Sequence, residues 1–108
     1  MPFIYIPQEQ RGKNLSAALR YGESIMSCLP QDYQVYSSTP ETVERIRYTM
    51  NMMQADDYLL LIGDPILIGL TIAVAFEFHD VLKVLKWDGQ TRTYVPITLD
   101  IASPMTLP

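Results

Sequence analysis

Hydrophobic and polar positions change their spacing several times along the chain, and each change marks an element. Phe3-Ile4-Tyr5-Ile6 is a short β-branched and aromatic run, which predicts a first strand closed by Pro7. Gln8 to Lys13 is polar, and Gly12 there is free to take an unusual backbone angle. Leu15, Ala18, Leu19, Gly22, Met26 and Leu29 then recur with the 3.6-residue period of one helical face. Asn14 stands ready to cap that helix and Pro30 to end it. Tyr33-Gln34-Val35-Tyr36 predicts a second strand. Ser37-Ser38-Thr39-Pro40-Glu41 has the chemistry of a helix start, with Thr39 as cap, Pro40 in the first position and Glu41 at the positive end of the dipole. Val43, Ile46, Met50 and Met53 form the apolar stripe of this second helix, and Arg45 and Arg47 take its wet side. At this spacing the methionines read as core.

The next stretch organises the rest. Tyr58 to Ile62 is apolar on both faces, as a central strand of a covered parallel sheet should be. Gly63-Asp64-Pro65 breaks it, and a helix is predicted from Ile66 to Phe78. That helix is apolar almost all round, whereas a surface helix of a lone domain needs a polar face. Either a neighbouring helix covers one side of it or another subunit does, and Ile68, Leu70, Ile72 and Phe76 are assigned to a homodimer contact. A membrane span over the same residues is set aside, because Gly63, Asp64 and Pro65 would leave a break and a charge in lipid.

Val81 to Trp87 and Thr91 to Ile101 flank Asp88-Gly89, the strongest short hairpin signal. Val95, Ile97, Leu99 and Ile101 alternate with Tyr94, Pro96, Thr98 and Asp100, so the last strand is half-buried. Pro96 cannot donate to a ladder and places this strand at an edge. Strand and helix thus alternate three times before a closing hairpin. The expected fold is a single layered α/β domain over residues 1–101, flavodoxin- or Rossmann-like in outline. Its sheet is mostly parallel, in the order 2-1-3-4-5, with an antiparallel C-terminal edge strand. Residues 102–108 are expected to be a flexible tail.

Composition narrows the function classes. A formal net charge of -4 with eight Lys+Arg lacks the footprint of a nucleic-acid binder. Cys28 is the sole cysteine, so no internal disulfide can form and a zinc site has no thiolate partners. It is expected to be a reduced, partly buried helix residue. The first residues have neither a basic region nor a long apolar one, so no signal peptide is read and a cytoplasmic location is the default expectation.

In such a sheet, ligands bind beyond the carboxyl ends of the strands where the strand order reverses. Here that point lies between the first and third strands. The loops meeting there carry Arg11, Gly12, Lys13 and Asn14 on one side and Gly63 and Asp64 on the other, with Ser38 beside them. Arg11 and Lys13 next to helix N-termini suit a phosphate or carboxylate, and Asp64 could accept a sugar hydroxyl. Helix capping by Asp64 with Pro65 behind it explains the same corner without a ligand. Gly12-Lys13 lacks the remaining residues of a P-loop. The single histidine, His79, supports neither a catalytic triad nor a metal site, and no cofactor is implied. Asp56-Asp57 and Glu77 with Asp80 read as solvated acidic pairs rather than paired acid/base catalysts, and Trp87 as a core or sheet-packing residue rather than a stacking platform.

Asp57-Tyr58-Leu59-Leu60-Leu61-Ile62-Gly63-Asp64-Pro65, Ile68-Gly69 with the Ala73/Ala75 helix, Leu85-Lys86-Trp87-Asp88 and Tyr94-Val95-Pro96-Ile97 together resemble small uncharacterised proteins of tailed bacteriophages. The resemblance covers roughly the C-terminal half. It implies a viral origin and an intracellular setting, and no reaction. The reading that follows is a non-enzymatic phage accessory protein that binds a host or phage protein and forms a homodimer. The alternative is a binder of a nucleotide or other small anion at the two loops, and an enzyme acting on nucleotides ranks third.

Overall fold

The computed structural model describes residues 1–35 and 37–102. Five strands, β1 (Ile4–Gln8), β2 (Ile25–Leu29), β3 (Tyr58–Leu60), β4 (Val81–Asp88) and β5 (Thr93–Asp100), form one sheet in the order β2-β1-β3-β4-β5. All neighbours pair in parallel except β4 and β5, which are antiparallel. Two α-helices, α1 (Pro40–Met50) and α2 (Pro65–Ala75), and a 3-10 helix at Ser16–Arg20 complete the fold. This is the α/β domain, strand order and antiparallel edge that the alternation predicts.

The direction of the chain decides which face each connection covers. From β1 the chain steps one way to β2, then crosses back over β1 to β3 and continues to β4. Right-handed crossovers put the first connection on one face and the next two on the other. The core divides accordingly. Tyr5, Leu59, Leu82 and Val84 pack with Ile46 and Met50 of α1 and Leu67 and Val74 of α2. Ile4, Ile6, Leu60, Leu85 and Tyr94 pack on the opposite face with Ala18 of the 3-10 helix. Both α-helices therefore lie on one side of the sheet, and the flavodoxin-like outline lacks an α-helix on the other.

That difference corrects the reading of residues 14–36. The helical spacing of Leu15 to Leu29 is not realised: five residues form a 3-10 helix, and Ile25–Leu29 is a strand rather than the end of a helix. Gly22 is the reason the chain turns there. A Cβ at this position would stand 2.8 Å from Ile4 Cγ1 and 2.9 Å from the Pro2 carbonyl oxygen, so only glycine lets the chain close onto β1. With β2 at Ile25–Leu29, the strand expected at Tyr33–Tyr36 is displaced. Tyr33 to Val35 lie in a loop, and Tyr36 is outside the described residues. The Gln8 amide nitrogen holds that loop, lying 3.0, 2.9 and 2.8 Å from the carbonyl oxygens of Pro30, Gln31 and Tyr33.

Other boundaries move by a few residues. β1 runs through Pro7 to Gln8 without losing a ladder bond, because the pairing with β2 passes from Ile6↔Ser27 to Gln8↔Leu29 and that with β3 stops at Tyr5↔Leu59. β3 ends at Leu60 rather than Ile62, and α2 at Ala75 rather than Phe78. Thr39 occupies the cap position of α1, but its side chain makes no cap bond; Pro40 takes the first turn as predicted. Ile46, Met50 and Met53 are buried core residues. The tail expected from residue 102 lies, from residue 103 on, outside the described residues.

Candidate functional site

Two surfaces follow from this architecture: a cleft at the carboxyl ends of the strands and the outer side of α2. The cleft is the more structured of the two. It has a volume of about 320 Å³ and is lined by Lys13, Asn14, Leu15, Ile62, Trp87 and Tyr94. Lys13, Asn14 and Leu15 come from the connection after β1, and Ile62 from the loop after β3. Trp87 stands one residue before the end of β4 and Tyr94 one residue after the start of β5, directly opposite each other in the hairpin. The cleft thus sits where the strand order reverses, on the face that carries the 3-10 helix.

Local chemistry holds each wall. Gly12 and Gly63 adopt positive φ angles of 80° and 106°, which lets both loops turn sharply at the strand ends. A Cβ on Gly63 would lie 3.1 Å from the Gln10 amide nitrogen, so the two loops are in contact. Asn14 Oδ1 accepts the backbone N–H of Ser16 at 2.9 Å and fixes the approach to the 3-10 helix. The Trp87 and Tyr94 rings meet edge to face, with centroids 5.0 Å apart at 67°. The Tyr21 hydroxyl donates to the Tyr94 carbonyl oxygen at 2.9 Å and ties the 3-10 segment to β5. Trp87 remains 47% exposed, so the sheet-packing role read from the sequence leaves half of its indole at the rim.

The residues that the sequence pattern nominates are distributed unevenly around this cleft. Lys13 and Asn14 line it. Arg11 is exposed, its side chain donates to Glu9 Oε1 at 3.0 Å and its backbone N–H to Gln31 Oε1 at 2.9 Å. That contact with Glu9 pushes the Arg11 pKa up. Asp64 Oδ1 accepts the Ile66 N–H at 2.8 Å and caps α2, as the helix-start reading requires. Its carboxylate occupies the end of the helix where an anion would otherwise be favoured. Ser38 is exposed ahead of α1, and Arg11, Gly12, Ser38, Gly63 and Asp64 are not among the lining residues. Leu15, Ile62, Trp87 and Tyr94 escape the sequence pattern as site residues. The one signal that points to any of them is the hairpin, whose register pairs Trp87 with Tyr94 on one face; none points to Leu15 or Ile62.

The outer side of α2 is apolar along its length. None of its eleven residues, Pro65–Ala75, is ionisable. Leu67, Val74 and Ala75 are buried, and Thr71, also buried, returns its hydroxyl to the Leu67 carbonyl oxygen at 2.7 Å. Leu70, Ile72 and Phe76 are half-buried against the core, and Ile68 is half-buried as well. Gly69 and Ala73 face water, as does Ile66 at 56% exposure.

The remaining chemistry-bearing side chains have structural partners. Asp57 is not solvated: it is 3% exposed, and its carboxylate accepts the backbone N–H groups of Phe3 at 2.9 Å and Gln54 at 2.8 Å. Glu77 accepts a two-pronged contact from Arg47 at 2.8 and 2.9 Å, which lowers its pKa. His79 Nε2 lies 3.0 Å from the Met53 carbonyl oxygen. Cys28 is a half-buried strand residue rather than a helix residue, and burial pushes its thiol up to about 12. Among the described residues no cluster of three His, Cys, Asp or Glu side chains could hold a metal ion, and no helix is long and apolar enough to cross a membrane.

A family model described as Phage Pam3 gp32-like protein matches residues 2–101, and the chain belongs to that phage protein family. No curated protein and no solved structure matches it.

Proposed function

We propose that this phage protein works by binding protein through the outer side of α2, in the first place a second copy of itself, in the host cytoplasm. The observation that supports this most is a helix with no polar face whose Ile66, Gly69 and Ala73 stand in water. A Cβ added at Gly69 would meet nothing within 4 Å, so a partner helix can approach its backbone closely. α2 alone is roughly 16 Å long at 1.5 Å per residue. A stable interface needs about 800 Å² on each partner, so the contact has to spread beyond one helix. The hairpin offers that extension. Val84↔Ile97 pairing puts Ile97, which is 40% exposed, on the helix-bearing side of the sheet. A host or phage protein with a matching apolar helix is the further partner this surface fits.

A two-fold contact places each residue near the axis close to its own copy. Ala73→Cys is therefore expected to give a disulfide-linked dimer under mild oxidation, while Tyr48→Cys on the exposed side of α1 gives none. Cys28, half-buried with its thiol poorly ionised, stays silent in both. Equal cross-linking of the two variants, or none in either, would remove this reading.

A further inference from the structure

The cleft has a composition that the α2 surface does not share, and it stands independently of any self-association. We infer that it binds a small planar aromatic molecule carrying one anionic group, of the class of a nucleoside monophosphate. Three observations carry this. First, the wall is aromatic and aliphatic where Trp87, Tyr94, Leu15 and Ile62 meet, and the half-exposed indole offers a stacking surface for a planar ring. Second, Lys13 is the single ionisable cation on the lining, and among the described residues it has no salt bridge. A lone ammonium at the mouth of an apolar cleft attracts one anionic group. It does not neutralise a triphosphate, which needs several donors or a metal. Third, about 320 Å³ is at the small end of ligand pockets, room for one ring system with its sugar and not for a dinucleotide.

The neighbouring groups sharpen the choice. Asn14 spends its carbonyl oxygen on the Ser16 N–H, which leaves its amide nitrogen as a donor toward the cleft. Arg11 is engaged with Glu9, so it adds no free positive charge at the mouth, and the Asp64 carboxylate is held by the Ile66 N–H at the start of α2. The contact is therefore stacking plus one charge-assisted hydrogen bond, which gives modest affinity in the micromolar to millimolar range.

Trp87 is the only tryptophan of the chain, so tryptophan emission, excited at the red edge where the seven tyrosines do not absorb, reports on this cleft alone. The full chain is titrated with the four common ribonucleoside monophosphates, with the matching nucleosides and with inorganic phosphate. At least one monophosphate is expected to change the Trp87 emission saturably, its nucleoside to bind at least tenfold more weakly, and phosphate alone to have no effect. Lys13→Ala, a change at an exposed side chain, is expected to weaken the monophosphate at least tenfold while the thermal midpoint stays put. Ile62→Trp, which fills the cleft, is expected to abolish binding measured by calorimetry. No saturable change with any monophosphate, equal binding of nucleoside and nucleotide, or undiminished binding by Lys13→Ala would each overturn the inference. None of these outcomes depends on whether the chain is a dimer.

Discussion

On the helix-bearing side of the sheet, α1 and α2 seal Tyr5, Leu59, Leu82 and Val84. On the opposite side a five-residue 3-10 helix covers Ile4, Ile6, Leu60 and Leu85 and stops short of Trp87. The two sides are made by the same strands, so the difference comes from what connects them. The chain between β1 and β2 turns sharply at Gly12 and presses Gly22 against β1, and the segment between those two glycines carries only the five-residue 3-10 helix. The connections to β3 and β4 carry full helices and land on the other face. Thick cover makes a core, and thin cover leaves a concavity at the strand ends. The same contrast separates the two proposed surfaces, an outward apolar helix on the thick side and a recessed aromatic cleft on the thin one.

The contrast can be broken where it is strongest. Leu59 is fully buried under both helices, so Leu59→Ala should cost about 2–5 kcal/mol in urea unfolding. Ile62→Ala at the half-covered cleft should cost roughly a third of that or less, because part of its surface already meets water. Equal losses at the two positions would show that the thin side is as tightly built as the thick one. An effect smaller than that of Leu59→Ala is expected at the junction between the sides. Gly22→Ala forces a methyl onto Ile4 and the Pro2 carbonyl and should destabilise by about 1–3 kcal/mol. An unchanged unfolding midpoint would mean that this approach is loose.

The smallest effect lies at the surface where α1 meets the end of α2. Arg47 holds the Glu77 carboxyl below its ordinary pKa. A lowered folded-state pKa adds stability above the unfolded carboxylate value of about 4.3, and this is lost as the pH falls through the folded value. Glu77→Gln should therefore lose less stability than the wild-type chain when thermal unfolding is followed from about pH 6 down to about pH 3. Parallel curves for the two proteins would show that the pair contributes nothing, as exposed ion pairs often do.

How legible each part is depends on punctuation. Pro40, Pro65 and Asp88-Gly89 mark α1, α2 and the hairpin so strongly that these elements stand within a few residues of their expected limits. Between Asn14 and Tyr36 the punctuation misleads. Leu15, Ala18, Met26 and Leu29 fall at helical spacing by coincidence, and pairing with β1 overrides it by drawing Ile25–Leu29 into the sheet. The strand order matches the expectation even so, because Ile25–Leu29 takes beside β1 the place expected for Tyr33–Tyr36. The cleft is half legible for a related reason. Lys13 and Asn14 follow a strand end and can be placed there from one dimension. Trp87 and Tyr94 become neighbours only once the hairpin register is known, and Leu15 is absorbed into a helical stripe that does not form.

The claim with the widest reach is that α2 is covered by a second copy of the chain. Light scattering at several micromolar concentrations reads this directly. The account predicts a mass of twice the 12.3 kDa chain, returning to the single chain when Ala73→Glu puts a charge on the outer side of the helix. A mass of 12.3 kDa at every concentration would contradict it.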